Sequence, residues 1–418
     1  MKAQIITIGD ELLIGQVINS NAAFIGSLLI ENNIEISKSS TIGDDEKAIL
    51  SEFEAAFAAN DIVIVTGGLG PTHDDITKQC VARFFDTELI QNDEVLEDVT
   101  SYFKTRSMPM PNVNIEQALV PKGGVVIRNY NGTAPGIWYE KNSRIMVVMP
   151  GVPFEMKAMM SNFVIPKLIE LLPQNPEFIK KTTLLTTGIG ESLLYERIGN
   201  IEELLNGAHL AFLPSQFGVK LRITVTDTDE KKAKNRILEI EQKLRSKIGR
   251  YIFGRDEETL EEVIARLLEE RTLTLAVAES CTGGLIANML TNISGSSRFF
   301  ERGVVTYSNG SKVEILKVNE DLIAKQGAVS LEVARQMAEG IKAISGTDIG
   351  LSVTGIMGPT GATGDKPLGL AYIGLCDDKV CTAKKVRFNN TRIINKERTA
   401  QAALDMLRRY LLGISLDD

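Results

Sequence analysis

Leu273-Thr274-Leu275-Ala276-Val277-Ala278-Glu279-Ser280-Cys281-Thr282-Gly283-Gly284 decides how this chain is read. A short apolar run, too brief for a helix and closed by a polar glycine-bearing turn, predicts a strand buried on both faces. Thr282-Gly283-Gly284-Leu285-Ile286-Ala287 then predicts the start of a helix. Such a unit belongs to an α/β layer fold, whose ligands collect beyond the carboxyl ends of the strands. Ser280 stands at that junction, and the chain's two histidines, His73 and His209, both lie upstream of it. A serine nucleophile here therefore needs a different base, and Lys312 is the natural candidate.

The same alternation recurs around this strand. Further strands are predicted at Gly303–Tyr307, Ile349–Thr354 and Gly369–Leu375, with helices at Leu260–Glu270, Leu331–Ile344 and Asn395–Leu412. Tyr307-Ser308-Asn309-Gly310-Ser311-Lys312 ends one strand, which brings Tyr307 and Lys312 to the same sheet edge. Val353-Thr354-Gly355-Ile356-Met357-Gly358-Pro359-Thr360-Gly361 ends another with a glycine-rich loop, whose amides suit a phosphate or a polar ring substituent. Arg392 adds a cation at a helix start. Amides near Cys281 and Thr282 are placed to form an oxyanion hole, where one donor is worth ~3 kcal/mol. The plain alternative is that Ser280 only caps the helix. As a base, Lys312 must have its pKa lowered from about 10.4 toward neutrality by burial or a neighbouring cation. Cys281, beside the same turn, is the rival nucleophile.

Toward the N-terminus, strands are predicted at Gln4–Ile8, Ile34–Ile42, Ile62–Thr66 and Ile145–Met149, with helices at Asn21–Asn32, Glu46–Ala59 and Phe154–Leu172. This is an α/β domain around a mainly parallel sheet. Ile62–Thr66 runs into Gly67-Gly68-Leu69-Gly70-Pro71-Thr72-His73-Asp74-Asp75. Glycines admit close backbone approach to a polyanion, and the acids suit a divalent metal bridging phosphates; the plain alternative is a structural strand-helix turn. Asp44 and Asp45 follow the preceding strand and are placed to complete an oxygen-ligand cluster. His73 reads as a solvated turn residue.

Between these domains lies a smaller α+β pattern: strand Thr182–Thr187, helix Glu191–Glu203, strands His209–Leu213 and Lys220–Thr226, and helix Asp229–Lys247. Pro173-Gln174-Asn175-Pro176 breaks the preceding helix. Three domains are thus predicted, at 1–172, 173–254 and 255–418, and 418 residues with 44% hydrophobic content can bury that many cores. No run of ~18 apolar residues occurs and the N-terminus enters a strand directly, so a cytoplasmic protein without a membrane partner is expected. Four cysteines, Cys80, Cys281, Cys376 and Cys381, show neither zinc spacing nor a disulfide framework and are expected to be reduced thiols. A net charge of −8 argues against a dominant nucleic-acid footprint, leaving small molecules as the expected partners.

Taken together, Ala278-Glu279-Ser280-Cys281-Thr282-Gly283-Gly284, Tyr307-Ser308-Asn309 with Lys312, Gly327-Ala328-Val329-Ser330 and the Thr354-Gly355-Ile356 loop with Gly358-Pro359 resemble the C-terminal domain of the CinA family. That domain is similar to stand-alone nicotinamide mononucleotide (NMN) deamidases. The resemblance implies Ser280 as nucleophile, Lys312 as base, Tyr307 relaying or orienting the proton, Thr354 and the adjoining Gly355 at the nicotinamide, and Arg392 at the 5′-phosphate. It implies no cofactor at this site. The loop Thr360–Pro367 departs from the pattern in a way that leaves its contacts open.

Gly9-Asp10-Glu11-Leu12 with Asn19-Ser20-Asn21, the Gly67–Asp75 run, and Pro150-Gly151-Val152-Pro153-Phe154-Glu155-Met156 resemble the molybdenum-cofactor-binding fold found at the CinA N-terminus. In that family the domain is associated with hydrolysis of ADP-ribose to AMP and ribose 5-phosphate. Its implied needs are a divalent metal (Mg, Mn or Co), with K+ as an adjunct. Gly67-Gly68-Leu69-Gly70 and Asp74 before Asp75 stand where pterin-binding relatives have a Gly-Gly-Thr-Gly run and an arginine, a departure that favours the CinA version. By position, Asp44 and Asp75 are the metal candidates, and Gly67, Gly68, Gly70 and Thr72 the phosphate cradle. The middle module resembles the KH-like domain of full-length CinA proteins; it has no GxxG loop, so nucleic-acid binding is not expected. It reads as a spacer or dimerisation element, with Gly188–Ser192 its segment expected nearest the N-terminal site. The expectation is a bifunctional hydrolase of pyridine nucleotides, with a symmetric homodimer as the default assembly. The alternatives are a molybdopterin-handling N-terminal domain and a non-enzymatic interaction protein in competence or DNA damage response.

Overall fold

The computed structural model describes residues 1–172 and 178–416, so the Pro173–Pro176 boundary lies outside the described residues. The chain forms two compact units, Met1–Lys180 with Thr226–Ala233, and Lys181–Val225 with Lys234–Asp418. No helix among the described residues is long and apolar enough to cross a membrane.

The first unit is built on a six-stranded sheet in the order Glu35–Ile42, Lys2–Ile8, Ile62–Thr66, Arg144–Met149, Gly136–Lys141, Val125–Ile127. The first four strands run parallel, and the last two turn antiparallel. Ile62–Thr66 is buried along its whole length because both faces are covered. Ile62 and Ile64 point into a cluster with Ile25, Leu29 and Met156, while Val63 and Val65 meet Phe53, Val81 and Phe85 on the other side. The expected helix Phe154–Leu172 is present but carries a π-helical turn, Met160–Val164, before Ile165–Glu170. Pro166 explains it, since proline lacks the N–H that a regular α-helix would use there. The acids Asp74 and Asp75 were expected to open a helix, which is Thr77–Phe84; between it and Ile145 the structure adds helix Asp93–Thr105 and several short strands that sequence reading did not place.

In the second unit, the middle module is a four-stranded sheet in the order His209–Pro214, Val219–Asp227, Phe178–Thr186, Ile252–Arg255. Its last strand was not expected, and the helix expected at Glu191–Glu203 is broken at Gly199-Asn200 into Glu191–Ile198 and Ile201–Leu205. The C-terminal sheet has the order Phe300–Val305, Leu275–Glu279, Ile349–Gly355, Leu370–Cys376, Cys381–Arg387. The first three strands are parallel and the last two form an antiparallel hairpin. Leu275 and Val277 face helices Leu260–Glu270 and Arg392–Leu411, while Ala276 and Ala278 face Leu331–Ser345. That last helix lies so close to the sheet that a Cβ on Gly374 would run into the Ala334 carbonyl oxygen. Arg408 is 1% exposed and donates to the carbonyls of Arg250 and Ile252, which ties the middle module to the C-terminal helix.

The expectation of four reduced thiols is corrected. Cys376 and Cys381 are directly opposite in the hairpin and are joined as a disulfide. Two residues paired across neighbouring strands are already close enough to bridge. Cys80 and Cys281 are free and buried.

Candidate active sites

Strand Leu275–Glu279 delivers Ser280 to the sheet edge, 7% exposed, with its amide donating to the Val353 carbonyl at 3.0 Å. The neighbouring strand ends at Val305, earlier than expected, and Ser308 caps a helix that sequence reading missed, Asn309–Leu316. Lys312 sits one turn into that helix and points back under the sheet edge, 1% exposed. Its Nζ lies 3.0 Å from Ser280 Oγ, 2.7 Å from the Thr306 carbonyl oxygen and 3.2 Å from that of Tyr307. No carboxylate forms an ion pair with it among the described residues, and burial lowers its pKa to about 8. A neutral amine has two N–H bonds and one lone pair. Two carbonyls can take the hydrogens while the lone pair accepts the Ser280 hydroxyl.

Cys281 is not a credible rival to Ser280. Its thiol packs in the hydrophobic core at 6% exposure, and burial pushes its pKa up to about 12, which leaves almost no thiolate. Any substrate contact of Cys281 is thereby limited to its main chain. The amides of Cys281 and Thr282 donate to no backbone carbonyl among the described residues. The helix amides beyond them are occupied: the Glu279 carboxylate, fully buried, accepts from Gly284, Ile286 and Ala287 at 3.0, 3.2 and 2.8 Å. Glu279, rather than Ser280, thus caps the helix Leu285–Thr291. Sequence reading missed that role, for which an acid just before a helix start was the available signal.

Tyr307 departs from expectation. Its ring is exposed and its hydroxyl accepts from Arg392 Nη2 at 3.2 Å, so only its main-chain carbonyl reaches Lys312. Arg392 also donates to the Gly358 carbonyl at 2.7 Å, bridging the glycine loop and Tyr307. Thr354 is buried with its hydroxyl donating to the Ala328 carbonyl at 2.9 Å. A Cβ on Gly355 would crowd Ala371, Leu370 and Met357.

In the first unit, the ends of Lys2–Ile8, Ile62–Thr66 and Arg144–Met149 surround a cavity of about 730 Å³. It is lined by Gly67, Gly68, Gly70 and Thr72 together with Asp10, Asp44 and Asp75. Gly67, at φ +107°, leaves no room for a side chain against the Ile8 carbonyl, so only glycine fits that turn. Asp44 and Asp10 are laced by reciprocal bonds: Asp10 N donates to Asp44 Oδ2 at 3.1 Å and Asp44 N to Asp10 Oδ1 at 3.3 Å. Asp75 accepts from the Thr72 amide at 2.9 Å and from its hydroxyl. Asp45 instead caps helix Glu46–Ala59 through Ala48, and His73 is exposed beside Asp74.

Burial and the negative charges of Asp10, Glu11 and Asp75 raise the Asp44 pKa. Among the described residues no three acidic, histidine or cysteine side chains close into a metal cage. The donor set nevertheless fits a hard divalent cation of the kind held by one or two carboxylates, waters and substrate phosphates. The Gly188–Glu191 part of the loop expected nearest this site lines a cavity with helix Arg392–Leu411 in the second unit.

The chain thus carries two candidate sites, each at a glycine-bearing sheet edge of its own α/β domain, with a small α+β module between those domains in the sequence, the organisation of a multidomain α/β protein. Residues 4–170 match the family described as a probable molybdopterin binding domain, 181–254 the damage-inducible protein CinA KH domain, and 257–411 the CinA C-terminal domain. A Caldicellulosiruptor saccharolyticus protein named for competence-damage inducibility is 43% identical over 413 residues, covering 99% of this chain and all of the relative. The CinA-like protein of Kosmotoga olearia is 42% identical over 414 residues, again 99% of this chain and all of its own. A crystal structure of CinA from Thermoplasma acidophilum is 31% identical and covers 40% of this chain and 97% of its own, with a TM-score of 0.37. The chain belongs to the CinA family.

Proposed function

We propose that the chain is a two-site hydrolase of pyridine nucleotides. Its C-terminal site converts NMN and water to nicotinate mononucleotide and ammonia. The observation that carries this reading is the 3.0 Å approach to Ser280 Oγ of a buried lysine amine that has no carboxylate partner among the described residues. Ser280 Oγ attacks the carboxamide carbon as its proton passes to Lys312 Nζ, and the Cys281 and Thr282 amides stabilise the oxyanion. Lys312 then protonates the departing nitrogen, and ammonia leaves as the C–N bond breaks. A water attacks the acyl-serine ester and gives its proton to Lys312, which returns it to Ser280 Oγ; the released acid ionises in water. Arg392 holds the 5′-phosphate, and Thr354 and Gly355 shape the nicotinamide end.

The N-terminal cavity cleaves ADP-ribose to AMP and ribose 5-phosphate. Asp44 and Asp75 would hold a divalent ion of the Mg, Mn or Co kind, which supplies charge neutralisation to the diphosphate when bound. Gly67, Gly68 and Gly70 let the backbone approach the phosphates, and Thr72 positions Asp75. Incubation of the full chain with NMN plus chelator should release ammonia, and incubation with ADP-ribose plus Mg²⁺ should release AMP. Absence of ammonia sinks the first activity, and absence of AMP the second. The match of residues 4–170 to a molybdopterin-binding description favours a second reading of that cavity as a pterin site. Separate titrations with molybdopterin and ADP-ribose distinguish the two.

A further inference from the structure

We propose that the cavity between the middle module and helix Arg392–Leu411 is a third ligand site, and that it binds a nucleoside monophosphate anchored on Arg398. The cavity lies wholly within the second unit and has a volume of about 490 Å³, inside the usual range of small-molecule sites. Arg398, Gln401, Asp405 and Arg409 line it from the helix. Spacing of i, i+3, i+7 and i+11 is one helical face, so these side chains leave the helix on the cavity side. Opposite them stand the turn Ser215–Gly218, the segment Gly188–Glu191, and the end of edge strand Cys381–Arg387 with Phe388.

Arg398 is the anchor because its charge is unspent. Its guanidinium lies over the Phe388 ring, 4.6 Å from the centroid, and makes no hydrogen bond or ion pair among the described residues. The residue is half-buried, so a ligand can reach it. A guanidinium resting on a ring has one face covered and its N–H edge open, which suits bidentate binding of a phosphate. Lys384, Lys385, Arg387 and Arg409 line the same cavity, whereas its only carboxylates are Glu191 and Asp405. Asp405 is already spent, accepting from Arg408 and Arg409 at 2.8 Å each. In a chain of net charge −8, cations gathered around one hollow focus anions there. The volume exceeds what a phosphate alone needs. Phe217, 40% exposed, offers a ring on which a base can stack, and the exposed Glu191 carboxylate accepts hydroxyls. Beside it, a Cβ on Gly190 would meet nothing within 4 Å, so that side is open. One phosphate, sugar hydroxyls and a flat ring are together the chemistry of a nucleoside monophosphate.

None of these residues belongs to either candidate active site, so the inference stands whether or not the two proposed activities do. The test is hydrogen exchange on the full chain with AMP, adenosine and ribose 5-phosphate as probes. At ~1 mM, AMP should slow exchange in residues 187–191 and 215–219, and adenosine should not. Ribose 5-phosphate should need about fivefold more than AMP for the same protection, because it lacks the base. Arg398→Gln removes the charge and keeps a good helix former, so it should hold the wild-type melting temperature while needing at least about tenfold more AMP. Phe217→Ser should erase the advantage of AMP over ribose 5-phosphate, and it decides the matter if Arg398→Gln melts low. Absence of AMP protection in the two segments, whatever happens at residues 66–72 of the N-terminal cavity, overturns the proposal. So does protection of a stably folded Arg398→Gln at wild-type AMP concentrations, protection by adenosine as strong as by AMP, or ribose 5-phosphate matching AMP on wild type.

Discussion

Replacing Lys312 by methionine tests the serine-lysine chemistry most directly, because the structure sets both the kinetic and the stability consequence. With a pKa of about 8, the amine is about one-quarter neutral at pH ~7.5, against about 0.1% for a lysine at its ordinary 10.5. Burial thus raises the base-competent fraction about 200-fold. Deamidation kcat/KM should rise with pH through about 8 and level off above it. Lys312→Met should lower it by about 100-fold to 10,000-fold, and Lys312→Arg, which cannot give up its proton, should be as poor.

Stability moves the other way. An amine whose folded pKa lies below its unfolded one penalises the fold fully below pH 8, and the penalty fades as pH rises toward 10.5. At neutral pH it amounts to about 3 kcal/mol. Methionine removes it but strands the Thr306 and Tyr307 carbonyls at about 1 kcal/mol each. The variant should therefore melt at or slightly above the wild-type temperature at pH ~7 while being nearly inactive. Ammonia release across pH ~6.5 to ~9.5, with calorimetry on the same samples, reads both quantities. A flat pH profile, or a methionine variant keeping more than about a tenth of the activity, refutes the reasoning.

Ser280→Ala should abolish ammonia release, whereas Cys281→Ala should keep most of it and cost only about 1 kcal/mol of stability in a denaturant titration. Glu279→Ala strands three amides at the start of helix Leu285–Thr291, so urea unfolding should show a loss of about 3 kcal/mol. Gly374→Ala drives a Cβ into the Ala334 carbonyl and should lower stability by about 1–3 kcal/mol by the same assay. Asp44→Asn should remove Mg²⁺-dependent AMP release and leave NMN deamidation within about twofold, as expected for sites on separate domains.

How much of this was legible in the sequence depends on how locally each feature is encoded. Ile62–Thr66 and Leu275–Glu279 were legible because strands covered on both faces are apolar without interruption. Cys381–Arg387 was not: it is an edge strand whose lysines and arginine face solvent or a cavity rim, so alternation is weak. Helix Asp93–Thr105 was hidden for a related reason, burying only Val95 and Val99 against a small satellite cluster. The Ser280–Lys312 pairing was inferred from two strand ends on one sheet edge, a rule of topology that needs no atomic detail. What lay beyond sequence was the assignment of individual hydrogen bonds. Tyr307 and Arg392 stand 85 residues apart, and nothing local announces that the phenol serves the guanidinium while its carbonyl serves the amine.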